Sequence, residues 1–509
     1  MKNTLKEKRI SRIVFYFLLL SALISMLFNC FNLWIFTADD SFITFRYSEN
    51  LVKGFGPTYN PGSSPVEGYT SFLWMVIMSF PHIIGKGVVS FSKIVGISSM
   101  VGTICLVCIF TIRASTVDRN ISKIAAGVVS LFFATLPETA VHAISGMETS
   151  FYCFSLILLL FVGFCATKGS QASLNCLPVI GLINGLIRPE ANLLVAIVFI
   201  LVFFSVEKKN QFVLKIVLLY LLPALGYFIW RWTYYGLLFP LPFYIKSGTF
   251  SLAGKDYVLN FLIFLFNNLL LYLGLAIIKR NDATKLIGVV AISDLIFFLF
   301  VSPIMGYDYR FLFPLVPLFL VFSAIGISTL LQNITVFSDQ KKWSIFTSGW
   351  MVSLLIIIFL SNNLPRTSSL FSHKLDYANG MLSNHIYIGQ TLSKVDHNQT
   401  TPVLVVTDAG AMSYYSGWYT IDAGGLNDDF IATSQGDILR YIFENDPDVI
   451  VLTSNNLFSF TTDSSYVKSI YEEAISQGMI LVSQKPFYQG DSIWILSKPE
   501  SEIVNLFNY

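Results

Sequence analysis

Residues 12–40 read RIVFYFLLLSALISMLFNCFNLWIFTADD. The run from Ile13 to Phe36 is apolar almost throughout, and at about 1.5 Å per residue it can cross a hydrocarbon core of about 30 Å. It ends abruptly on Asp39 and Asp40, and Lys2, Lys6, Lys8, Arg9 and Arg12 precede it. A basic start before an apolar run also suits a signal peptide. This run is too long for one, and no A-x-A-like cleavage site follows it. It reads as a retained first membrane helix with its N-terminus in the cytoplasm, because basic residues stay on that side.

Composition extends the reading to the whole chain. Of 509 residues, 54% are apolar and 13% charged, where a soluble protein carries about a quarter charged. A net charge of +2 argues against a nucleic-acid partner. Further apolar runs fall at 91–112, 124–141, 150–166, 174–187, 191–206, 212–233, 257–278, 286–304, 309–331 and 343–361, about eleven spans in all. Arg113, Arg119, Lys123, Lys168, Lys208, Lys209, Lys215, Lys279, Arg280, Lys285, Lys341 and Lys342 lie in alternate connections, on the side of the N-terminus. The expected fold is a polytopic α-helical membrane domain over 1–361, with a first extracytoplasmic loop at 37–90. A small extracytoplasmic α/β domain follows over 362–509.

Two segments depart from simple alternation. Counting the apolar stretch Phe72–Ile84 as a span would invert every later loop, so it reads as a re-entrant or interfacial helix. The short runs 174–187 and 191–206 read as a broken hairpin around Arg188-Pro189-Glu190. In the tail, 402–407 and 449–453 are compact β-branched strands. Asp437–Asn445 and Ser465–Gln477 are helical, and 479–483 with 492–497 forms a hairpin. The cysteines, Cys30, Cys105, Cys108, Cys153, Cys165 and Cys176, all lie in apolar segments and read as small hydrophobes.

Charges at a membrane boundary are costly without a partner or a task, and the outer loops gather many. They hold Asp39-Asp40, Arg46-Tyr47, Glu67-Gly68-Tyr69, Glu148, Arg188-Pro189-Glu190, Arg231, Lys246 and Asp308-Tyr309-Arg310. Singly each has a plain explanation. Asp39-Asp40 can cap the helix that follows, Arg231 can snorkel, and the glycines and prolines can shape turns. Together they suit a polar, anionic ligand at the membrane surface.

Their order is more specific. Asp39-Asp40…Arg46-Tyr47…Gly54-x-Gly56…Tyr59-Asn60-Pro61-Gly62…Val66-Glu67-Gly68-Tyr69-Thr70-Ser71…Trp74 resembles the GT-C superfamily of integral-membrane glycosyltransferases. Within it the chain is similar to the terminal arabinofuranosyltransferase branch. The resemblance continues through Gly146-Met147-Glu148-Thr149, Arg188-Pro189-Glu190, Arg231…Tyr235-Gly236…Pro240…Lys246 and Asp308-x-Arg310-Phe311…Pro314. It ends in Asp408-Ala409-Gly410…Tyr414-Tyr415…Gly417…Asp422…Gly425…Asp428. The chain departs at Ile304-Met305-Gly306, where many relatives carry glycine-glycine-aspartate-tryptophan, so the sugar stays open.

The resemblance implies inverting transfer of a sugar, arabinofuranose or another pentose or hexose, from a polyprenyl-phosphate donor. The acceptor is an extracytoplasmic glycan or a surface protein such as a pilin. The setting is a bacterial inner membrane, and the bilayer is a further partner. Asp39 is the expected base, with Asp40 holding it or binding the acceptor. Arg46, Lys246, Arg310 and Arg231 are expected at the donor phosphate. Glu67, Tyr69, Glu148, Arg188, Glu190 and Asp308 are expected at sugar or acceptor. No cofactor is required by this chemistry, although Asp39-Asp40 could ligate Mg or Ca. Asp408-Ala409-Gly410 is too short for a nucleotide-binding fingerprint. The competing class is a polytopic transporter or flippase for a lipid-linked or envelope glycan precursor. No internal repeat of the kind common in transporters is visible.

The loop charges predict cytoplasmic and extracytoplasmic signals from reporter fusions at Gln332 and Asn398 respectively. A cytoplasmic signal at Asn398 overturns the topology.

Overall fold

The computed structural model describes residues 2–246, 252–268, 281–337, 341–395, 402–433 and 436–507. Two compact units emerge: residues 1–34, 92–227 and 249–371 form one, and residues 35–91, 228–248 and 372–509 form the other.

The first unit is helical. Its elements are Lys2–Asn32, Val88–Ala114, Arg119–Thr135, Pro137–Ile144, Thr149–Thr167, Gln171–Ile187, Ala191–Ser205, a continuous stretch from Lys209 to Tyr235, Lys255–Asn267, Asp282–Leu299, Val316–Phe337 and Lys341–Met381, some of which run on into the second unit. Among the described residues, five helices are long and apolar enough to cross a membrane, or six if a bent pair counts as one span. The chain is a multi-pass membrane protein. The expected run 257–278 passes at 269 out of the described residues.

Two boundaries differ from the expectation. The run 124–141 is not one rod: Arg119–Thr135 and Pro137–Ile144 meet at 62°. Pro137 causes the break. Its ring disfavours helical backbone at the preceding residue, and Leu136 is extended at φ −61°, ψ 125°. Pro189 does the same to Arg188, at φ −142°, ψ 129°, which gives the expected break between Gln171–Ile187 and Ala191–Ser205. The last helix runs 41 residues to Met381, so position 361 lies inside it. Hydropathy marks where apolar character stops, but the helix continues past that point through Pro365 into polar sequence. Phe72–Ile83 is a 12-residue helix, too short to span about 30 Å.

The second unit is built on a five-stranded sheet. Strands β1 (Val403–Val406), β2 (Tyr419–Asp422), β3 (Val449–Ser454), β4 (Ile480–Pro486) and β5 (Ser492–Ser497) lie in the order β2-β1-β3-β5-β4. β1 pairs parallel with β2 and β3, while β5 runs antiparallel to β3 and β4. Side chains alternate between the faces of a sheet. Leu404, Val406, Val449, Val451, Ile493 and Ile495 point to one face, where Ile43, Tyr47, Tyr59, Tyr69 and Met75 of the first loop pack on them. Val405, Ile450, Leu452 and Leu496 point to the other, against Ile442, Ile470 and Ala474. The near-continuous apolar reading of β1 and β3 follows from this, because both faces are covered. It also explains why the first loop belongs to the same compact unit as the C-terminal sheet.

Close packing within the helical unit depends on Gly96, where a Cβ would land on the carbonyl oxygen of Ala143. Gly226 has no neighbour within 4 Å of such a Cβ. Gly96→Ala is expected to destabilise by about 1–3 kcal/mol through overpacking. Gly226→Ala should be neutral or gain the helix-propensity difference of about 0.5–1 kcal/mol. Thermal melts of the two variants in detergent check the contrast.

Candidate active site

Asp39 opens the helix Asp39–Val52 but does not cap it; the N-cap is Ala38, with no side-chain hydrogen bond. The carboxylate turns to the sheet unit. Its Oδ2 accepts the Gly410 N–H at 3.0 Å and its Oδ1 the Ala411 N–H at 2.8 Å, at the start of the helix Ala411–Ser416. The capping reading is thus met on a different helix. The backbone N–H of Asp39 donates to the Tyr377 hydroxyl at 3.3 Å. Gly410 is required here, since a Cβ would land on the carboxylate and backbone oxygen of Asp39. Asp39 is buried. Burial pushes its pKa up to about 6, His385 pulling it down and Asp408 pushing it up.

His385 and Asp408 complete this cluster. His385 sits in the π-turn Leu382–Ile386 and is buried. Its Nε2 lies 3.3 Å from Asp408 Oδ2, which also accepts the Thr453 hydroxyl at 3.1 Å. Burial lowers the imidazole pKa, but the bond to Asp408 and the nearby Asp39 charge raise it overall. Asp408 is held below the ordinary carboxylate range: burial alone would raise it, and His385 outweighs that. His385 Nδ1 is buried without a hydrogen-bond partner among the described residues. No sequence motif pointed to His385. Single π-turns often mark functional positions, but they leave no trace in composition.

The other loop residues are welded into the same unit. Arg46 donates from Nε to Tyr59 O at 2.7 Å, and from Nη2 to Asn60 Oδ1 at 3.0 Å and Trp418 O at 2.7 Å. Its Nη1 donates to Ser413 O. Four protein acceptors occupy the guanidinium expected at a phosphate, so its place is that of a brace. Arg231 meets Glu67 at 2.6 Å, both buried, and donates to Leu238 O at 2.7 Å. The Tyr69 hydroxyl lies 2.9 Å from that of Tyr235. Tyr47 accepts the Gly68 N–H at 2.9 Å and donates to Val66 O at 3.0 Å. Lys246 ends the helix Leu241–Lys246; its side chain lies outside the described residues.

The helical unit holds a second polar cluster. Glu148 pairs with Arg188 at 2.8 Å and Arg310 at 3.2 Å, and Arg188 also reaches Glu190 at 3.4 Å. Burial raises the Glu148 pKa, but Arg310 and Arg188 overcome it and hold the carboxyl down at about 2. Asp308 lies in a strained turn, with Met305, Asp308 and Tyr309 at φ of 60°, 48° and 59°; its carbonyl accepts from His142 Nε2 at 3.0 Å. Within the same unit a cavity of about 400 Å³ is lined by Ile263, Phe264, Asn267, Tyr309 and Arg366. Arg366 is paired with the buried Glu138. Sequence reading passed over this arginine because it follows the last apolar run.

Both Asp39 oxygens accept amide protons, and a metal ion there would have to share them. Among the described residues, no group of three His, Cys, Asp or Glu is spaced to hold an ion.

Residues 381–496 match a family model described as a domain of unknown function (DUF8728). A stretch of 245 residues is 29% identical to the terminal beta-(1->2)-arabinofuranosyltransferase of Mycobacterium tuberculosis (strain ATCC 25618 / H37Rv), covering 45% of this chain and 38% of that protein. The chain therefore matches well under half the length of this curated relative. ArnT from Cupriavidus metallidurans bound to undecaprenyl phosphate superposes with a TM-score of 0.63 at 11% identity, over 95% of this chain and 98% of that one. The oligosaccharyltransferase AglB from Archaeoglobus fulgidus, in complex with an inhibitory peptide and a dolichol-phosphate, superposes at 0.51 and 14% identity, over 87% of this chain and 69% of that one. The chain has a GT-C-like fold. The resemblance read from the loop motifs is thus matched in relative and in architecture, with the structural likeness one of fold alone.

An Asp39 carboxyl with a pKa near 6 should be visible spectroscopically. Difference infrared spectra of wild type against Asp39→Asn are expected to show a protonated carboxyl band at pH 5 that is lost by pH 7. A band absent at pH 5 removes the raised pKa from the account.

Proposed function

We propose that the protein is an inverting glycosyltransferase that moves a sugar from a polyprenyl-phosphate to a hydroxyl of an extracytoplasmic acceptor. The observation that carries this reading is Asp39. A carboxylate buried in the first loop, held by two amides and raised to about 6, is a matched base near neutral pH. Support comes from the GT-C-like fold, shared with a transferase crystallised with undecaprenyl phosphate.

In the step we propose, the acceptor oxygen attacks the anomeric carbon as the bond from that carbon to the phosphate oxygen breaks. The hydroxyl proton passes to Asp39, and the bonding pair leaves with the lipid phosphate. Attack opposite the leaving group inverts the centre. The leaving group is already a stable anion, so a cation to balance its charge matters more than an acid. Arg46 and Arg231 are committed to carbonyls and to Glu67. We assign the phosphate to Arg366 at its amphipathic cavity, with Arg310 and Lys246 as further candidates. Glu148, Arg188, Glu190 and Asp308 then shape the donor side, and Glu67 and Tyr69 set the loop. Asp40 supports Asp39. The reading places about eleven spans in a bacterial inner membrane, the N-terminus in the cytoplasm and the C-terminal sheet domain outside it. The sugar is arabinofuranose or another pentose or hexose.

Purified protein in nanodiscs should transfer sugar from a polyprenyl-phosphate monosaccharide and not from a nucleotide sugar. Equal transfer from the nucleotide sugar sinks the donor assignment. Asp39→Asn should lose on the order of a hundredfold or more in turnover. Its amide would also set an N–H against an N–H of the Gly410–Ala411 clasp, so the melting temperature must be read beside the rate. A rate that falls below pH about 6 in wild type separates the base from a purely structural clasp. Wild-type turnover in both Asp39→Asn and Asp40→Asn rejects the catalytic reading of the loop.

A further inference from the structure

A groove of about 910 Å³ lies within the second unit, between the end of the long helix and the turn joining β4 to β5. We propose that this groove binds the acceptor as a neutral oligosaccharide, leading its terminal hydroxyl toward Asp39.

The helix supplies Asp376, Asn379 and Ser383 at successive turns, and the hairpin turn supplies Phe487, Tyr488 and Gln489. The hairpin is fixed in place. Gly380 leaves room for the Phe487 ring, which a Cβ would meet at 2.8 Å, and Asn384 Nδ2 donates to Pro486 O at 3.0 Å. Phe487 N–H donates to Asp491 O at 2.8 Å, and Asp491 N–H to Tyr488 O at 3.0 Å. Gln489 and Gly490 take φ of 54° and 96°, so the turn presents its side chains from a set backbone.

The lining chemistry selects the occupant. Among the described residues it holds one carboxylate, one imidazole, His373, and neither Lys nor Arg, so it offers a phosphate no permanent cation to pair with. Amide and hydroxyl groups that both donate and accept, with a carboxylate that accepts, suit vicinal hydroxyls, and aromatic rings with a polar handle suit the apolar faces of sugar rings. The volume falls in the range of about 300–1,000 Å³ usual for ligand sites.

The groove also leads somewhere. The Tyr377 ring packs on Phe487 and Tyr488 at 5.8 and 5.6 Å, and its hydroxyl accepts the Asp39 N–H. Phe487 packs on His385 at 4.7 Å, the residue joined to Asp408. These contacts link the rings lining the groove to Asp39 and to the His385–Asp408 pair of the same unit.

The inference rests on the transferase reading for the word acceptor, but its test does not need transfer. Full-length protein in nanodiscs is titrated with an arabinofuranosyl hexasaccharide, mannohexaose and maltohexaose, followed by saturation-transfer NMR. At least one should bind wild type, and at least tenfold more weakly to Asn379→Ala and Tyr488→Ala at unchanged melting temperature. Asp376→Asn is a second, milder probe should Tyr488→Ala fail to fold. No binding by any oligosaccharide at millimolar concentration, or binding that survives these substitutions, overturns the proposal. Displacement by a Ser/Thr-rich peptide that itself needs Asn379 overturns it in favour of a polypeptide acceptor. Glycan binding without transfer by wild type leaves the groove standing and removes the transferase.

Discussion

The clasp of Gly410 and Ala411 on Asp39 is the contact on which the sheet-bearing unit turns. A buried carboxylate without partners would be strongly disfavoured, and two amide protons are what make this one tolerable. They come from 371 and 372 residues away in the sequence. The same arrangement sets its chemistry. Amide bonds hold the carboxylate in one orientation, while burial keeps its proton affinity well above that of a surface aspartate. A group tied this way is a rivet, and the proton affinity that suits the proposed base sits on the same two oxygens.

The rivet is one of several. Asn60 accepts the Thr420 N–H at 3.0 Å and donates to Thr420 O at 2.8 Å, imitating a neighbouring strand. The Tyr59 hydroxyl donates to Ala409 O at 2.6 Å, and Arg46 reaches Ser413 and Trp418. The first loop therefore supplies one covering layer of a sheet formed more than 300 residues later. A short four-stranded or five-stranded sheet exposed on one apolar face would be a docking or aggregation hazard; here the loop closes that face with tyrosines.

This welding decides how much was legible in the sequence. Helix positions were, because length and apolar content depend on local composition. So were β1, β3 and the β4–β5 hairpin, whose apolar runs sit between turn signals. β2 was not: Tyr419–Asp422 holds only four residues and ends on an acid, and its strand state is imposed by β1. The bend at Leu136 was hidden inside an apolar run, although Pro137 was its cause. Asp39 was legible as an acid at the end of a membrane helix. His385 was not, since one histidine in a polar helix carries no pattern, and its partnership with Asp408 depends on a π-turn. Arg46, Glu67 and Arg231 drew attention as charges, and folding assigns them to carbonyls and to each other.

That last point bears on how charge near a membrane should be weighed. A rim rich in Arg and Glu suggests an anionic ligand only while the charges are counted singly. Glu148 and Glu190 with Arg188 and Arg310 sum to zero across one connected cluster, and Glu67 cancels Arg231 at 2.6 Å. Breaking such a buried pair to serve a ligand costs several kcal/mol, on the order of 3–5, so these groups are better suited to fixing the backbone than to binding transient anions. A ligand phosphate is better met by a cation that keeps some solvent access. Arg366 is also paired, with Glu138, but its side chain is 36% exposed at the edge of a cavity, so it keeps that access, whereas Arg46 and Arg231 are buried. Exposure, more than the presence of charge, distinguishes Arg366 from the buried arginines that hold the fold.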